Sequence, residues 1–279
     1  MGFPNTPGKH ACAAVIEPAH VIEERKKEGL QPTGPVADGA ILCYDAALWQ
    51  WVGTLPGRVP CDGWLEGAYR LPYADGWILA MKIAGWGAPT AVMALEELIA
   101  SGIPRFVSMG AAGGLQETLG VGEVVVCDRA IRDEGTSHHY LPDARYASAC
   151  PDLTTAICSA LREHGVPLHV AASWTTDAPY RETIDELRSY RSAGVATVEM
   201  EAAALFAVGS YRRVSVGSAF VISDVLAEDG WTQRYHGEAK VDGLKGIFSA
   251  VLPAIATPTA TRKEEHPGHA AKSSGGREP

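Results

Sequence analysis

The sequence predicts an α/β protein with a mostly parallel sheet covered by helices on both faces. Three observations predict it. Apolar runs such as Ala40 to Tyr44 and Val214 to Ile222 are continuous rather than alternating, segments with helical apolar spacing lie between such runs, and 279 residues at 46% hydrophobic content suffice for one large core. A formal charge of −9 without basic stripes argues against a nucleic-acid partner and for a small-molecule or protein one. The six cysteines form no C-x-x-C pair, which suits free thiols in a reducing compartment. Residues 1–10 have no apolar signal core, and no apolar run approaches the roughly 20 residues that span a bilayer, so a cytoplasmic protein without membrane contact is expected.

In chain order, residues 1–37 read as an irregular leader with one charged helical segment, Ala19 to Glu28, closed by Gly29 and the breaker-rich run at 31–35. Residues 38–256 read as the folded domain. Its first strand is Ala40 to Tyr44, and Trp77 to Ile83 supplies another, while Trp49, Trp51 and Trp64 between them are assigned to packing. Gly85-Trp86-Gly87-Ala88-Pro89-Thr90 leads into a helix with Val92, Leu95, Leu98 and Ile99 on one face, ending at Gly102. The strand Arg105 to Met109 runs into Gly110-Ala111-Ala112-Gly113-Gly114, and Gly122 to Cys127 is the next strand. Helices from Asp152 to His164 and Glu182 to Ser192 flank the strand Leu168 to Ala172. The long strand Val214 to Ile222 is expected to end at Ser223-Asp224, before a closing helix around Gly243 to Leu252. Residues 257–279 are too polar to pack and read as a disordered tail.

The stretch Val198-Glu199-Met200-Glu201-Ala202 stands apart because two acids flank a methionine just ahead of an Ala-rich apolar helix. This strand-to-helix junction is a place where α/β proteins bind ligands and where a helix N-terminus favours negative charge. Glycines at strand ends, in Gly85 to Gly87 and Gly110 to Gly114, let backbone approach a ligand closely and are candidates to line the same pocket, although tight turn packing explains either cluster equally well. Neither has the spacing of a dinucleotide or ATP loop. No His/Glu metal spacing is present, and no metal is expected.

Taken together, Gly85-x-Gly-x-Pro89-Thr90, Met109-Gly110-Ala111-Ala112-Gly113-Gly114, Val121-Gly122-Glu123-Val124-Val125-Val126, Val198-Glu199-Met200-Glu201-Ala202 and Ile222-Ser223-Asp224 resemble, in order, the motifs of the nucleoside phosphorylase superfamily. The resemblance implies a single three-layer α/β/α sandwich with a mixed, partly barrel-like central sheet, assembled as a homo-oligomer of two, three or six chains. It implies cleavage of a nucleoside N-glycosidic bond with phosphate as co-substrate and no other cofactor. Met200 and Glu201 would hold the ribose, with Glu199 near the sugar. Asp224 would protonate or hydrogen-bond the base, as an acid whose pKa is raised by burial. Thr176, Tyr180 and Arg181 fall in the loop that packs on the base, Tyr180 as a stacking face and Arg181 as a donor. His139 falls in a segment that reaches a neighbouring subunit's sugar 5′-hydroxyl. Gly85, Gly110, Ala111 and Gly113 would line the pocket.

The same resemblance exposes departures. Phosphorolytic members hold phosphate with a Gly-Asp-Pro turn followed by an arginine, yet Leu42-Cys43-Tyr44-Asp45-Ala46-Ala47-Leu48 keeps only the aspartate. Ser108 stands where a second arginine precedes the glycine turn. Each charge-assisted bond to phosphate contributes about 1.5–3 kcal/mol, so Arg58 or Arg70, an arginine of another subunit, or the backbone at Gly110 to Gly113 would have to compensate. Three readings follow: phosphorolysis, hydrolysis with Glu199 or another carboxylate activating water, and nucleoside binding without catalysis.

Overall fold

A computed structural model describes residues 3–256 apart from 31, 33, 65, 66, 229 and 234–236. The tail expected from residue 257 lies outside the described residues. Among the described residues eleven strands form one mixed sheet, with helices on both of its faces. The strands at its centre are β1 (Gly39–Cys43), β5 (Arg105–Gly114), β6 (Val124–Asp133), β8 (Leu168–Thr176), β9 (Val195–Glu199) and β10 (Ser215–Ala227). β5, β9, β8, β6 and β10 pair in a closed ring, because β10 joins β6 on one side and β5 on the other. From this ring β1 leads outward to β4 (Gly76–Lys82), then to β3 (Ala68–Tyr73) and β2 (Val59–Cys61). The pairings β1–β4, β1–β5, β5–β10, β6–β8 and β8–β9 are parallel, whereas β5–β9 and β6–β10 are antiparallel, so the ring joins two oppositely directed sets of strands, and the C-terminal ends of β5 and β9 meet where Gly113 and Gly114 pair with Val198 and Thr197.

The continuous apolar strands are explained by two cores, one on each face. On one face α3 (Ala88–Ala100) and α6 (Ala202–Arg212) pack together, with Leu95, Leu98, Leu205 and Phe206 fully or almost fully buried. On the other, α2 (Ala46–Val52), α4 (Pro151–Glu163) and α7 (Glu238–Ala256) bury Leu48, Ile157, Ile247, Phe248 and Val251. A smaller cluster seats α5 (Ile184–Ser192) through Leu187 against Trp174 and Val195. Burying such side chains contributes about 1.5–3 kcal/mol each, which makes the sheet edge a rigid platform.

Several elements differ from the sequence expectation. Residues 46–52 form α2, capped by the Asp45 side chain on Leu48 N–H at 2.8 Å, and the Gly/Pro-rich section holds the hairpin of β2 and β3. A short strand, β7 (Tyr146–Ser148), adds to β6. β5 does not stop at Met109 but continues through the glycines, and β10 does not end at Ile222 but runs past Asp224, bulging between them and pairing with β11 (Gly230–Gln233). The reason lies in pairing: Gly113 and Gly114 are bridged by β9 and β10 together, which no single-strand pattern reveals. The charged helix expected in the leader at Ala19 to Glu28 is found. This helix, α1 (Pro18–Lys27), is held by Arg25 on Glu97 at 2.6 and 3.0 Å, and Arg212 joins Glu17 to Glu96.

Candidate active site

The two acids at the β9–α6 junction have different tasks. The register of β8 and β9 sets Thr175 beside Glu199, and the Glu199 carboxylate is almost entirely buried. One of its oxygens accepts from Ser173 Oγ (3.2 Å) and Thr175 Oγ1 (2.5 Å), the other from the N–H groups of Glu201 (2.8 Å) and Ala202 (2.7 Å). Four donors use all the lone pairs a carboxylate has. Glu199 therefore caps α6 from two residues before its N-cap, and Thr175 Oγ1 takes the next N–H, that of Ala203. Burial pushes the Glu199 carboxyl up, against four hydrogen bonds that favour its charged form.

Because Glu199 does the capping, the side chain of Glu201, the N-cap residue itself, is released from it. Glu201 accepts from Gly87 N–H at 2.5 Å, in the turn between β4 and α3. Gly85 (φ 107) and Gly87 (φ 101) both need left-handed backbone there, which aims an N–H across the sheet edge at the carboxylate. Burial, then the charge of Glu199, pushes Glu201 up to about 8. Among the described residues neither acid has an ion-pair partner. Met200, between them, is half-buried.

The β1–β5 register places Tyr44 next to Gly110, where a Cβ would lie 3.4 Å from the Tyr44 ring. Tyr44 Oη and Ser108 Oγ share a hydrogen bond of 3.1 Å. Burial, then the Glu201 charge, pushes the Tyr44 phenol well up. The motif aspartate, Asp45, accepts from Lys240 Nζ at 2.6 Å besides capping α2, so that lysine is already paired. Arg58 donates to Leu55 O and sits over the Tyr69 ring, while Arg70 sits buried over the Trp77 ring.

At the other end Asp224 is buried and accepts from Ser223 Oγ (2.6 Å) and Trp231 Nε1 (2.8 Å). A Cβ on Gly113 would meet Leu226, Val198 and Asp224 at 2.6, 3.0 and 3.3 Å, so Gly113 serves close packing of the strands. Ala111 is half-buried beside it. The neighbouring acid Glu182 went unnoticed in the sequence as a site residue: burial, then the Asp224 charge, pushes it up to about 7. Its signal was its place at the end of the segment from Thr176 to Arg181, where it reads simply as a helix start. Thr176 is buried and accepts from Ala178 N–H at 3.2 Å. Tyr180, expected to stack, is 99% exposed, and Arg181 is exposed beside it, because the short helical turn Pro179–Arg181 directs both outward. His139 lies under the leader, paired with Lys9 and edge-on to Phe3 at 5.0 Å, and burial lowers its pKa.

The acidic and hydroxyl side chains gathered near the strand ends of this sandwich place the candidate site at the sheet edge, where α/β proteins commonly bind ligands. Residues 72–252 match the Phosphorylase superfamily, and the chain belongs to that family. It is 32% identical over 152 residues to a guanosine phosphorylase of Halorubrum lacusprofundi, a match that covers 54% of this chain and 63% of that protein. It is 29% identical over 181 residues to a purine nucleoside phosphorylase of Plasmodium vivax, covering 60% of this chain and 74% of the other, and 29% identical over 154 residues to a uridine phosphorylase of Haemophilus influenzae, covering 50% and 61%. A solved structure of purine nucleoside phosphorylase from Toxoplasma gondii in complex with immucillin-H shares the fold, with a TM-score of 0.71 at 21% identity over 79% of this chain and 91% of that one. No helix among the described residues is long and apolar enough to cross a membrane.

Proposed function

We propose that the protein is an enzyme that cleaves the N-glycosidic bond of a nucleoside. The observation that carries the reading is Glu201, a carboxylate with no ion-pair partner among the described residues, which Glu199 has relieved of capping and Gly87 holds in place. Such a group suits sugar hydroxyls, and its negative charge favours the oxocarbenium-like sugar formed as the bond breaks. Asp224 and Glu182 form the base end, and the half-protonated Glu182 of neutral solution supplies a proton source beside Asp224. The relatives named as guanosine, purine nucleoside and uridine phosphorylases support the bond and disagree about the base. Their names point to phosphate as acceptor; the neutral Tyr44–Ser108 pair favours a second reading, with water in that place. Release of free base from a panel of purine and pyrimidine nucleosides tests the proposal. Base release that is abolished by Glu201→Gln supports it, and a panel left intact by the unaltered protein refutes it.

A further inference from the structure

Between the leader and the sheet lies a cavity of about 320 Å³, none of whose lining residues belongs to the acid clusters of the candidate active site. Its walls come from α1 through Ile22 and Lys26, from the segment before β1 through Val36, and from β3 through Arg70, with Trp64 between β2 and β3. Arg70 is 8% exposed and Trp64 9%, yet Arg70 Nε and Nη1 and Trp64 Nε1 are buried donors that meet no acceptor among the described residues. A guanidinium is not deprotonated in proteins, so burial cannot neutralise it as it would a carboxylic acid. Keeping such a charge buried and short of acceptors is among the costliest arrangements a fold can hold. The Trp77 ring, with its centroid 5.7 Å from Arg70 Cζ, supplies only the attraction of a cation to an aromatic face. The backbone nevertheless makes room for the guanidinium: Gly34 (φ 89) has no side chain, and a Cβ there would overlap Arg70 Nη1.

We propose that this cavity is a second ligand site, which takes a small organic anion: a carboxylate head on an apolar body. The donors in its lining call for the head. Arg70, Lys26 and the Trp64 indole can only donate hydrogen bonds, so the atoms that complement them must accept, and two cations in one wall favour negative charge. Among the described residues no acid lines the cavity. The body is called for by Ile22, Val36 and the carbon framework of Trp64, surfaces from which a bare hydrated ion gains nothing. A volume of about 320 Å³ lies at the small end of ligand cavities, which suits an acid with one aromatic ring or a short aliphatic chain. The inference stands apart from the bond cleavage proposed above and shares no residue with it.

The full chain is titrated calorimetrically with acetate, hexanoate and benzoate, with benzyl alcohol as the neutral counterpart of benzoate and inorganic phosphate as a bare oxyanion. Benzoate or hexanoate should bind saturably, with acetate and benzyl alcohol weaker by about tenfold or more, since each lacks either the body or the charge. Arg70→Met keeps the length and removes the charge, and should weaken benzoate by about a hundredfold; Trp64→Phe removes the indole N–H and should weaken it by about threefold to tenfold. Phosphate heat counts against the organic class only where Arg70→Met abolishes it, so that binding elsewhere is set aside. Urea unfolding separates a ligand site from a charge that serves the fold. Without ligand Arg70→Met should be at least as stable as the unaltered chain, and saturating benzoate should raise the midpoint of the unaltered chain alone. The proposal is overturned by the absence of saturable binding for all three acids, by benzyl alcohol binding as well as benzoate, by Arg70-dependent phosphate binding as tight as that of benzoate, or by carboxylate binding that survives in both variants. Should Arg70→Met fail to fold, Trp64→Phe and the neutral alcohol decide.

Discussion

On the proposed function, the end of the site assigned to the sugar and the end assigned to the base are built differently. At the sugar end Glu199, Thr175 and Ser173 form a closed hydrogen-bond net on strand ends, and the polar groups of α6's first turn are met by side chains from β8 and β9. At the base end one buried acid, Asp224, faces a loop whose Tyr180 and Arg181 point into solvent. Rigid strand ends suit the part of the substrate that changes charge, where preorganised groups count most. A loop suits the part that varies, and the relatives differ by name in the base and not in the kind of bond. Substitutions at the sugar end should therefore cost most.

The largest effect belongs to Glu201. Glu201→Gln keeps the shape and removes the charge, so kcat/KM should fall by about 10² to 10³ or more. Because only the ionised form assists, kcat/KM of the unaltered enzyme should fall tenfold per unit as pH drops below about 8, the value to which burial and Glu199 raise Glu201. Stability should move the other way. The unfolded chain ionises this group near its ordinary 4.5, so folding is favoured fully below that pH and loses ground as pH rises toward about 8. Glu201→Gln removes that cost, and urea unfolding at pH 8 should show the variant more stable by up to about 5 kcal/mol at one pKa unit per 1.36 kcal/mol. A variant that lost both activity and stability would mean that Glu201 holds the fold.

Glu199 should behave in the opposite sense and with a smaller direct effect on chemistry. Glu199→Gln turns an amide toward the two N–H groups it caps, and breaking such a buried net typically costs about 3–5 kcal/mol. Urea midpoints would read this. A neutral outcome would dissolve the contrast between the two acids. That contrast was illegible in the sequence, where both acids were assigned to the sugar. Which of them caps the helix depends on the register that sets Thr175 beside Glu199, and register is a property of two strands. Strands and helices with strong apolar patterns, such as β1, α3 and α4, were readable from residue type alone. The β2–β3 hairpin was not, since Pro60 and the surrounding glycines mask a strand that gains its order from β4.

At the base end Asp224→Asn should lower turnover by about 10² for purine nucleosides, whose base leaves best when protonated, and much less for a nitrophenyl riboside, whose leaving group needs no proton. Equal losses on both would make Asp224 an anchor for Trp231 and Ser223 only, consistent with its two hydrogen bonds at 2.8 and 2.6 Å. Glu182→Gln should shift the acid limb of the purine profile near pH 7, where burial and Asp224 place Glu182, and leave the limb governed by Glu201 in position.

The smallest effect is expected at Tyr180. The sequence suggested a stacking face for the base, and a base stacked on an aromatic ring gains about 1–3 kcal/mol. At 99% exposure the ring has no packed surroundings to hold it in a stacking position, and the turn Pro179–Arg181 directs it outward. Ordering an exposed side chain on binding costs about 0.5–1.5 kcal/mol, which offsets much of what stacking would gain. Tyr180→Ala should therefore change KM less than about threefold and leave kcat unaltered, because the groups that bear the chemistry sit on strands the turn does not touch. A KM raised more than about tenfold for every base, with kcat held, would show instead that the turn folds inward over the bound base. The base end would then be as preorganised in the complex as the sugar end is without ligand, and the contrast between the two would hold for the free protein alone.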